Sequence, residues 1–152
     1  MYKRQLLEFA SGAQVTLSTS WDVFAHRHGN MELYGTEGAL FLPDPNWFGG
    51  ELQMAGADTV VKPLAAWDHP FGVRNDTVHG DHANYRTAGL ADMADAIMAK
   101  RDVRCGIERP LHALDVMLSI MKSGETGRFV SLKTTCTRPR PLGVAEARAL
   151  LH

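Results

Sequence analysis

Residues 31–50, MELYGTEGALFLPDPNWFGG, decide the fold of this chain. Two short apolar runs, MELY at 31–34 and ALFL at 39–42, are separated by Gly-Thr-Glu-Gly at 35–38. Alternating apolar residues around a glycine-containing turn are typical of a β-hairpin, and the glycines can adopt positive φ where the chain reverses. The sequence Pro-Asp-Pro-Asn at 43–46 has few backbone donors and ends the second strand.

The flanking segments predict more antiparallel strands. Strands are expected at 6–9 and 15–21, on either side of a turn at Ser11-Gly12, and shorter strands at 52–54 and 59–62. Short connections between successive strands favour antiparallel pairing.

After residue 86 the apolar spacing changes from two to about 3.6 residues. Helices are predicted from about 88 to 100 and from Pro110 to Gly124, followed by a strand at 129–133 and a helical tail at 144–151. Met93, Met98, Met117 and Met121 are interpreted as core side chains. We therefore expect an α+β fold in which a largely antiparallel open sheet carries two main helices on one face.

The other face of this sheet is predicted to be an oligomer interface. Strand residues and their neighbours include Trp21, Phe24, Phe41 and Trp47, so apolar area is expected on both sides of the sheet. Between Leu64 and Arg86 the pattern fits neither helix nor strand, and a loop of that length is commonly functional or ordered by a partner.

Composition excludes several classes of partner. The 152 residues include 16 basic and 17 acidic side chains with a net charge of −1, which argues against nucleic-acid binding. No apolar run approaches the roughly 20 residues of a bilayer span, so no membrane association is expected and we predict a cytoplasmic location. Cys105 and Cys136 are too few and too far apart for a disulfide framework.

Several segments together carry a family resemblance. YGTEGAL followed by PDPNWFGG, and later NYRTAGLADMADAI with LHALDVMLSIMKSGETGR, resemble the C-terminal domain of the glucose-fructose oxidoreductase, inositol dehydrogenase and rhizopine-catabolism (Gfo/Idh/MocA) family. The resemblance covers nearly the whole chain. It implies an NAD(P)-dependent oxidoreductase acting on CH–OH groups, with NAD or NADP as the cofactor of a full-length member.

The chemistry of such an enzyme is missing from these residues. There is no Gly-x-Gly-x-x-Gly fingerprint, no βαβ pattern and no Glu-Lys-Pro motif. Residues 1–152 are therefore interpreted as a single domain, most of the family's C-terminal domain, truncated and without the N-terminal dinucleotide-binding (Rossmann) domain. We expect no catalytic and no cofactor-binding residue in this chain.

Substrate-facing residues follow from the resemblance. Polar and aromatic side chains at the strand end and before the first helix could contact a sugar or polyol; these are Trp21, Asp22, His26, His28, Asn84 and Arg86. Alternatively, they satisfy loop backbone or line a subunit interface.

Metal binding is the less favoured use of the histidines. His26-x-His28 lacks a third ligand nearby, and His79-x-x-His82 with Asp76 and Asp81 lies in a loop where such residues are usually solvated. No metal site is assigned. His112, near the start of the second helix, is given no role.

The expected function is a substrate-side and oligomerisation domain of an NAD(P)-dependent sugar or polyol oxidoreductase, inactive alone. Its partners would be itself, as a homodimer or higher oligomer, and a Rossmann domain. The alternative is a stand-alone dimeric binding or assembly module without a redox role. A third hypothesis, a small enzyme using a metal in the histidine-rich loop, has less support.

Overall fold

The computed structural model describes residues 2–47, 49–72, 74–77, 80–83, 85 and 87–151. It confirms the α+β class with antiparallel pairing throughout its described strands. The elements are β1 (Tyr2–Glu8), β2 (Gln14–Ser20), β3 (Met31–Tyr34), β4 (Ala39–Leu42), β5 (Gln53–Ala55), β6 (Lys62–Pro63), β7 (Arg74–Thr77), β8 (Gly80–Ala83), α1 (Ala88–Met98), α2 (Glu108–Thr126) and α3 (Val144–Ala149).

The chain divides into two compact units. Unit 1 comprises residues 1–27 and 106–138, and unit 2 comprises residues 28–105 and 139–152. The described strands form three sheets, β1-β2, β3-β4-β5-β6 and β7-β8, where the sequence predicted one. The irregular residues 21–30 separate the first hairpin from the second, so the two do not continue as one sheet.

The hairpin predicted at residues 31–42 is present in unit 2. β3 and β4 pair in register from Met31 opposite Leu42 to Tyr34 opposite Ala39, and the strand ends before Pro43 as expected. A short 3₁₀ helix, Pro45–Trp47, follows. β5 and β6 extend this sheet as a meander.

Gly38 is required here by a close approach and not by its φ angle. The sequence predicts that Gly35 and Gly38 allow positive φ in the turn, but neither of them has positive φ. A Cβ on Gly38 would lie 2.4 Å from the carbonyl oxygen of Ala55, which is nearer than non-bonded atoms can come. The glycine therefore allows β5 to pair closely beside the turn.

Unit 1 consists of the β1-β2 hairpin, α2 and the segment that follows α2. Leu7 pairs with Val15 and Gln5 with Leu17, which places the apolar side chains of β2 on one face, as predicted. On that face the Gln5 amide donates to the Ile120 carbonyl oxygen at 3.5 Å. This hydrogen bond connects α2 to β1.

The end of α2 and the following segment differ from prediction. The helix continues past Gly124 to Thr126 and ends at Gly127, whose φ of 65° is the left-handed conformation typical of a helix C-terminus. The strand predicted at 129–133 is not formed. The Lys133 N–H donates instead to the carboxylate of Asp115 at 3.0 Å, so a side chain takes a donor that a strand would have used.

In unit 2, β7 and β8 form a short hairpin within residues 64–86, where no regular structure was predicted. Their sequences, RNDT and GDHA, lack apolar alternation, so backbone pairing alone defines them. α1 ends at Met98, two residues before the predicted end.

The helix faces are the largest departure from the sequence-based picture. In α1 the buried residues are Asp92, at 4% exposure, and Ala96, whereas the apolar residues predicted to cover the sheet are exposed. The four methionines interpreted as core are also exposed, by 36% at Met93 and 84% at Met98. That interpretation is wrong, because helical spacing locates an apolar face but does not say what covers it.

Candidate functional site

Four of the six predicted substrate-facing residues lie in the irregular segment after β2. Trp21 is 94% exposed, and the Asp22 N–H donates to the Ser20 hydroxyl at 3.2 Å. His26 and His28 are both exposed, but His26 belongs to unit 1 and His28 to unit 2. The structure therefore offers an exposed aromatic side chain beside polar residues at this strand end.

The other two predicted residues, Asn84 and Arg86, lie outside the described residues. His79 also lies outside them, as do the side chains of Asp76, Asp81 and His82. In the part of the chain that the structure describes, no group of three or more His, Cys, Asp or Glu side chains could hold a metal ion.

Unit 1 contains a hydrogen-bonded chain of three polar side chains that sequence reasoning did not find. His112 and Asp115 are three residues apart on α2, and Thr134 lies between their side chains. The His112 Nδ1 atom is 2.9 Å from the Thr134 Oγ1 atom, which donates to Asp115 Oδ2 at 2.8 Å. A spacing of 22 residues between His112 and Thr134 carries no recognisable sequence signal.

Asp115 is held in its ionised form by these contacts. Its carboxylate accepts the Thr134 hydroxyl proton, the Thr134 N–H and the Lys133 N–H, the latter two at 3.0 Å. These hydrogen bonds, that of the Thr134 hydroxyl first, lower the pKa of Asp115 below its ordinary value. Asp115 therefore acts as an acceptor at neutral pH.

Unit 2 contains a buried histidine among aromatic rings. His69 is 6% exposed, its Nε2 atom lies 3.2 Å from the Leu142 carbonyl oxygen, and its Nδ1 atom accepts the Phe71 N–H at 3.3 Å. Because a carbonyl can only accept, Nε2 carries the proton and both ring nitrogens are used. The rings of Trp67 and Tyr85 lie 4.5 and 5.4 Å from the imidazole, and burial raises the pKa of Tyr85.

A charge network follows α1 in the same unit. The buried carboxylate of Asp92 pairs with Arg101 at 2.7 Å and with Arg104, and Arg104 also pairs with Glu146 at 2.8 Å. Burial is the largest single influence on Asp92 and raises its pKa, but the hydrogen bonds from Arg101 and the Arg104 N–H and the charges of both arginines together outweigh it, so the pKa is lowered. The acidic and basic groups are matched, which is typical of a structural network.

A surface pocket of about 390 Å³ lies between β5 and β6, lined among others by Met54, Lys62 and Leu64. Its charged groups, Asp58 and Lys62, pair with each other at 2.5 Å. The charges of Asp58 and Lys62 therefore neutralise each other, and this pair would not attract a charged ligand to the pocket.

The two long helices expose apolar stripes. The α1 stripe comprises Leu90, Met93, Ile97 and Met98, and the α2 stripe comprises Leu111, Leu114, Met117, Leu118 and Met121. Every member of the α2 stripe is 47–56% exposed. On the opposite side of α2, the less exposed residues include His112, Asp115 and Ile120.

Comparisons with protein families, curated proteins and solved structures found no match to this chain. Within the described part of the chain, no helix has both the length and the apolar character that crossing a bilayer requires.

Proposed function

We propose that this chain is a self-associating, substrate-side domain of an NAD(P)-dependent sugar or polyol oxidoreductase, inactive without a dinucleotide-binding domain. The observation that carries the association is the exposure of the apolar stripes on both α1 and α2. The sequence segments quoted above support the family and its substrate class. We place the domain in the cytoplasm, in keeping with its two unpaired cysteines.

The occupant that we propose for the α2 stripe is the same stripe of a second copy. Among the described residues of unit 1 none is buried, so this unit has little core of its own. A hairpin and one helix rarely bury enough apolar area to be stable alone. A two-fold pairing of α2 with its copy would cover the whole stripe, since a self-complementary patch closes into a dimer.

Sedimentation velocity tests this association, with one variant on the stripe and one beside it. Met117→Glu places a carboxylate in the centre of the stripe, where two copies would face each other, and we expect it to shift the wild-type dimer to monomer. Arg109→Glu places the same carboxylate at an exposed position of α2 about a quarter turn from the nearest member of the stripe, and it should leave the dimer intact. A wild-type chain that stays monomeric at micromolar concentration would contradict self-association.

Titration of NADH and NADPH against the purified chain, followed by nicotinamide fluorescence, tests the proposal that this chain does not bind a dinucleotide by itself. We expect no saturable binding by the chain alone. Saturable binding would mean that the chain holds a dinucleotide site of its own.

The second candidate is a dimeric assembly module without a redox role, which the same exposed stripes support. Neutral polyols distinguish the two functions. Perturbation of the NMR resonances of Trp21, Asp22 and His26 by myo-inositol or D-glucose favours the substrate-side domain. Self-association without any such perturbation favours the assembly module.

A further inference from the structure

The hydrogen bonds around Thr134 determine which nitrogen of His112 carries the proton. The hydroxyl of Thr134 has a single proton, and Asp115, being ionised, can only accept. The Thr134 proton is therefore directed to Asp115. The Thr134 oxygen then has only lone pairs to offer His112, so Nδ1 must be the donor across the 2.9 Å contact.

A neutral imidazole with its proton on Nδ1 has a lone pair on Nε2. Within the described part of the chain, Nε2 of His112 has no hydrogen-bonding partner, and the side chain is half-buried. It differs in this from His69, whose two ring nitrogens both have partners. His112 thus presents a fixed hydrogen-bond acceptor at a partly exposed position.

We propose that Nε2 of His112 is a proton-accepting atom that binds the hydroxyl group of a neutral ligand. An unprotonated Nε2 requires a donor, which excludes ligands that only accept. The carboxylate of Asp115 nearby repels anionic ligands, so a neutral alcohol or polyol fits better than a carboxylate or phosphate. Thr134 and Asp115 are positioning residues, because they orient the ring and set its tautomer.

The same arrangement suits proton transfer. When the O–H bond of the ligand breaks, the proton moves to Nε2 and the electron pair stays on the ligand oxygen. The resulting imidazolium donates from Nδ1 to Thr134, whose hydroxyl donates to the negative Asp115. Stabilisation of an imidazolium by a nearby carboxylate is the physical basis of histidine general bases. This role is independent of the oxidoreductase proposal.

Long-range ¹H–¹⁵N NMR of the histidine rings in the 152-residue chain tests the tautomer. We expect neutral wild-type His112 to carry its proton on Nδ1. Thr134→Val removes the hydroxyl at nearly constant shape and should move the proton to Nε2, whereas Thr135→Val, at the adjacent exposed threonine, should not. A wild-type His112 with its proton on Nε2, or a tautomer unchanged by Thr134→Val, would overturn the proposal.

Ligand binding is tested in the same spectra with phenol and D-sorbitol as neutral hydroxyl donors. We expect either donor to shift the ¹⁵N resonance of Nε2, and the shift to be lost in Asp115→Asn. Anisole, which is phenol without the O–H, and acetate, an anion, should leave Nε2 unchanged. Absence of a shift with both donors, or an equal shift with anisole, would refute a hydroxyl-binding site even if the tautomer is correct.

Discussion

The buried carboxylate of Asp92 should contribute measurably to the free energy of unfolding. This carboxylate is 4% exposed, yet it lies in a helix whose large apolar residues are exposed. It accepts charge-assisted hydrogen bonds from Arg101 at 2.7 Å and from Arg104, and an N–H from the Arg104 backbone at 3.4 Å. Replacement by asparagine keeps the shape but removes the charge and one acceptor oxygen.

The magnitude follows from the contacts that are lost. A hydrogen bond to a charged group contributes about 1.5–3 kcal/mol, and removing one member of a fully buried ion pair costs about 3–5 kcal/mol. The arginines are one-third exposed at Arg101 and one-sixth at Arg104, so water can partly replace the lost carboxylate. We therefore expect Asp92→Asn to lower the free energy of unfolding by about 2–3 kcal/mol.

Urea unfolding at neutral pH, followed by far-ultraviolet circular dichroism, measures this loss. Asp95→Asn is the matched control because Asp95 pairs with the same Arg101 at 2.6 Å but is about half exposed. Exposed pairs contribute about 0–1 kcal/mol, so the control should change stability by less than half as much. Equal effects of the two substitutions would refute the reasoning that burial makes the Asp92 contacts stronger.

The stability difference between wild type and Asp92→Asn should depend on pH, and its sign follows from the pKa of Asp92. The pKa of Asp92 is lowered from its ordinary value of 3.8, so folding favours the ionised form. The stability from its charge is complete above 3.8 and is lost as pH falls through the lowered pKa of the folded state. The stability difference between wild type and Asp92→Asn should therefore shrink below pH 3.8.

Three further predictions concern other parts of the chain. Gly127→Ala should destabilise the protein by about 1 kcal/mol, because alanine is strained at a φ of 65°. Gly124→Ala, inside α2, should stabilise the protein by roughly 0.5–1 kcal/mol, because alanine favours a helix more than glycine does. The two substitutions should shift the thermal midpoint of unfolding in opposite directions. His69→Phe should cost about 1–3 kcal/mol in calorimetry, because the Phe71 N–H loses its acceptor within a buried cluster. Asp115→Asn should make the protein less stable than wild type above pH 3.8, where the carboxylate is ionised. The difference should disappear once the pH has fallen through the lowered pKa of Asp115. Urea unfolding midpoints of both proteins across this pH range measure it.

Local pattern was sufficient for most of the regular structure. The hairpin at 31–42, the two-faced strand after Gln14 and the helix beginning at Ala88 all follow from apolar periodicity and turn residues, which act over a few positions. The β7-β8 hairpin was missed because its polar sequence has no period, and the strand at 129–133 was wrongly predicted because Asp115 binds the Lys133 N–H.

The candidate site could be only partly predicted. Trp21, Asp22, His26 and His28 were selected as polar and aromatic residues at a strand end, and the structure leaves Trp21 exposed there. No role is predicted for His112 from the sequence, because a single histidine in a helix has no sequence signature. Its significance depends on Thr134, which comes close only through folding of the segment after α2.

The sequence by itself determined the α+β class, the first two antiparallel hairpins and the positions of the helices to within a few residues, because these depend on periodicity and on glycine and proline positions. Tertiary structure alone decided which helix face is covered. It placed the carboxylate of Asp92 against two arginines and left the apolar stripe of the same helix exposed. The physical reason is that burial depends on contacts between residues distant in sequence. A matched set of charges can therefore be buried on one face of a helix while its apolar face stays exposed.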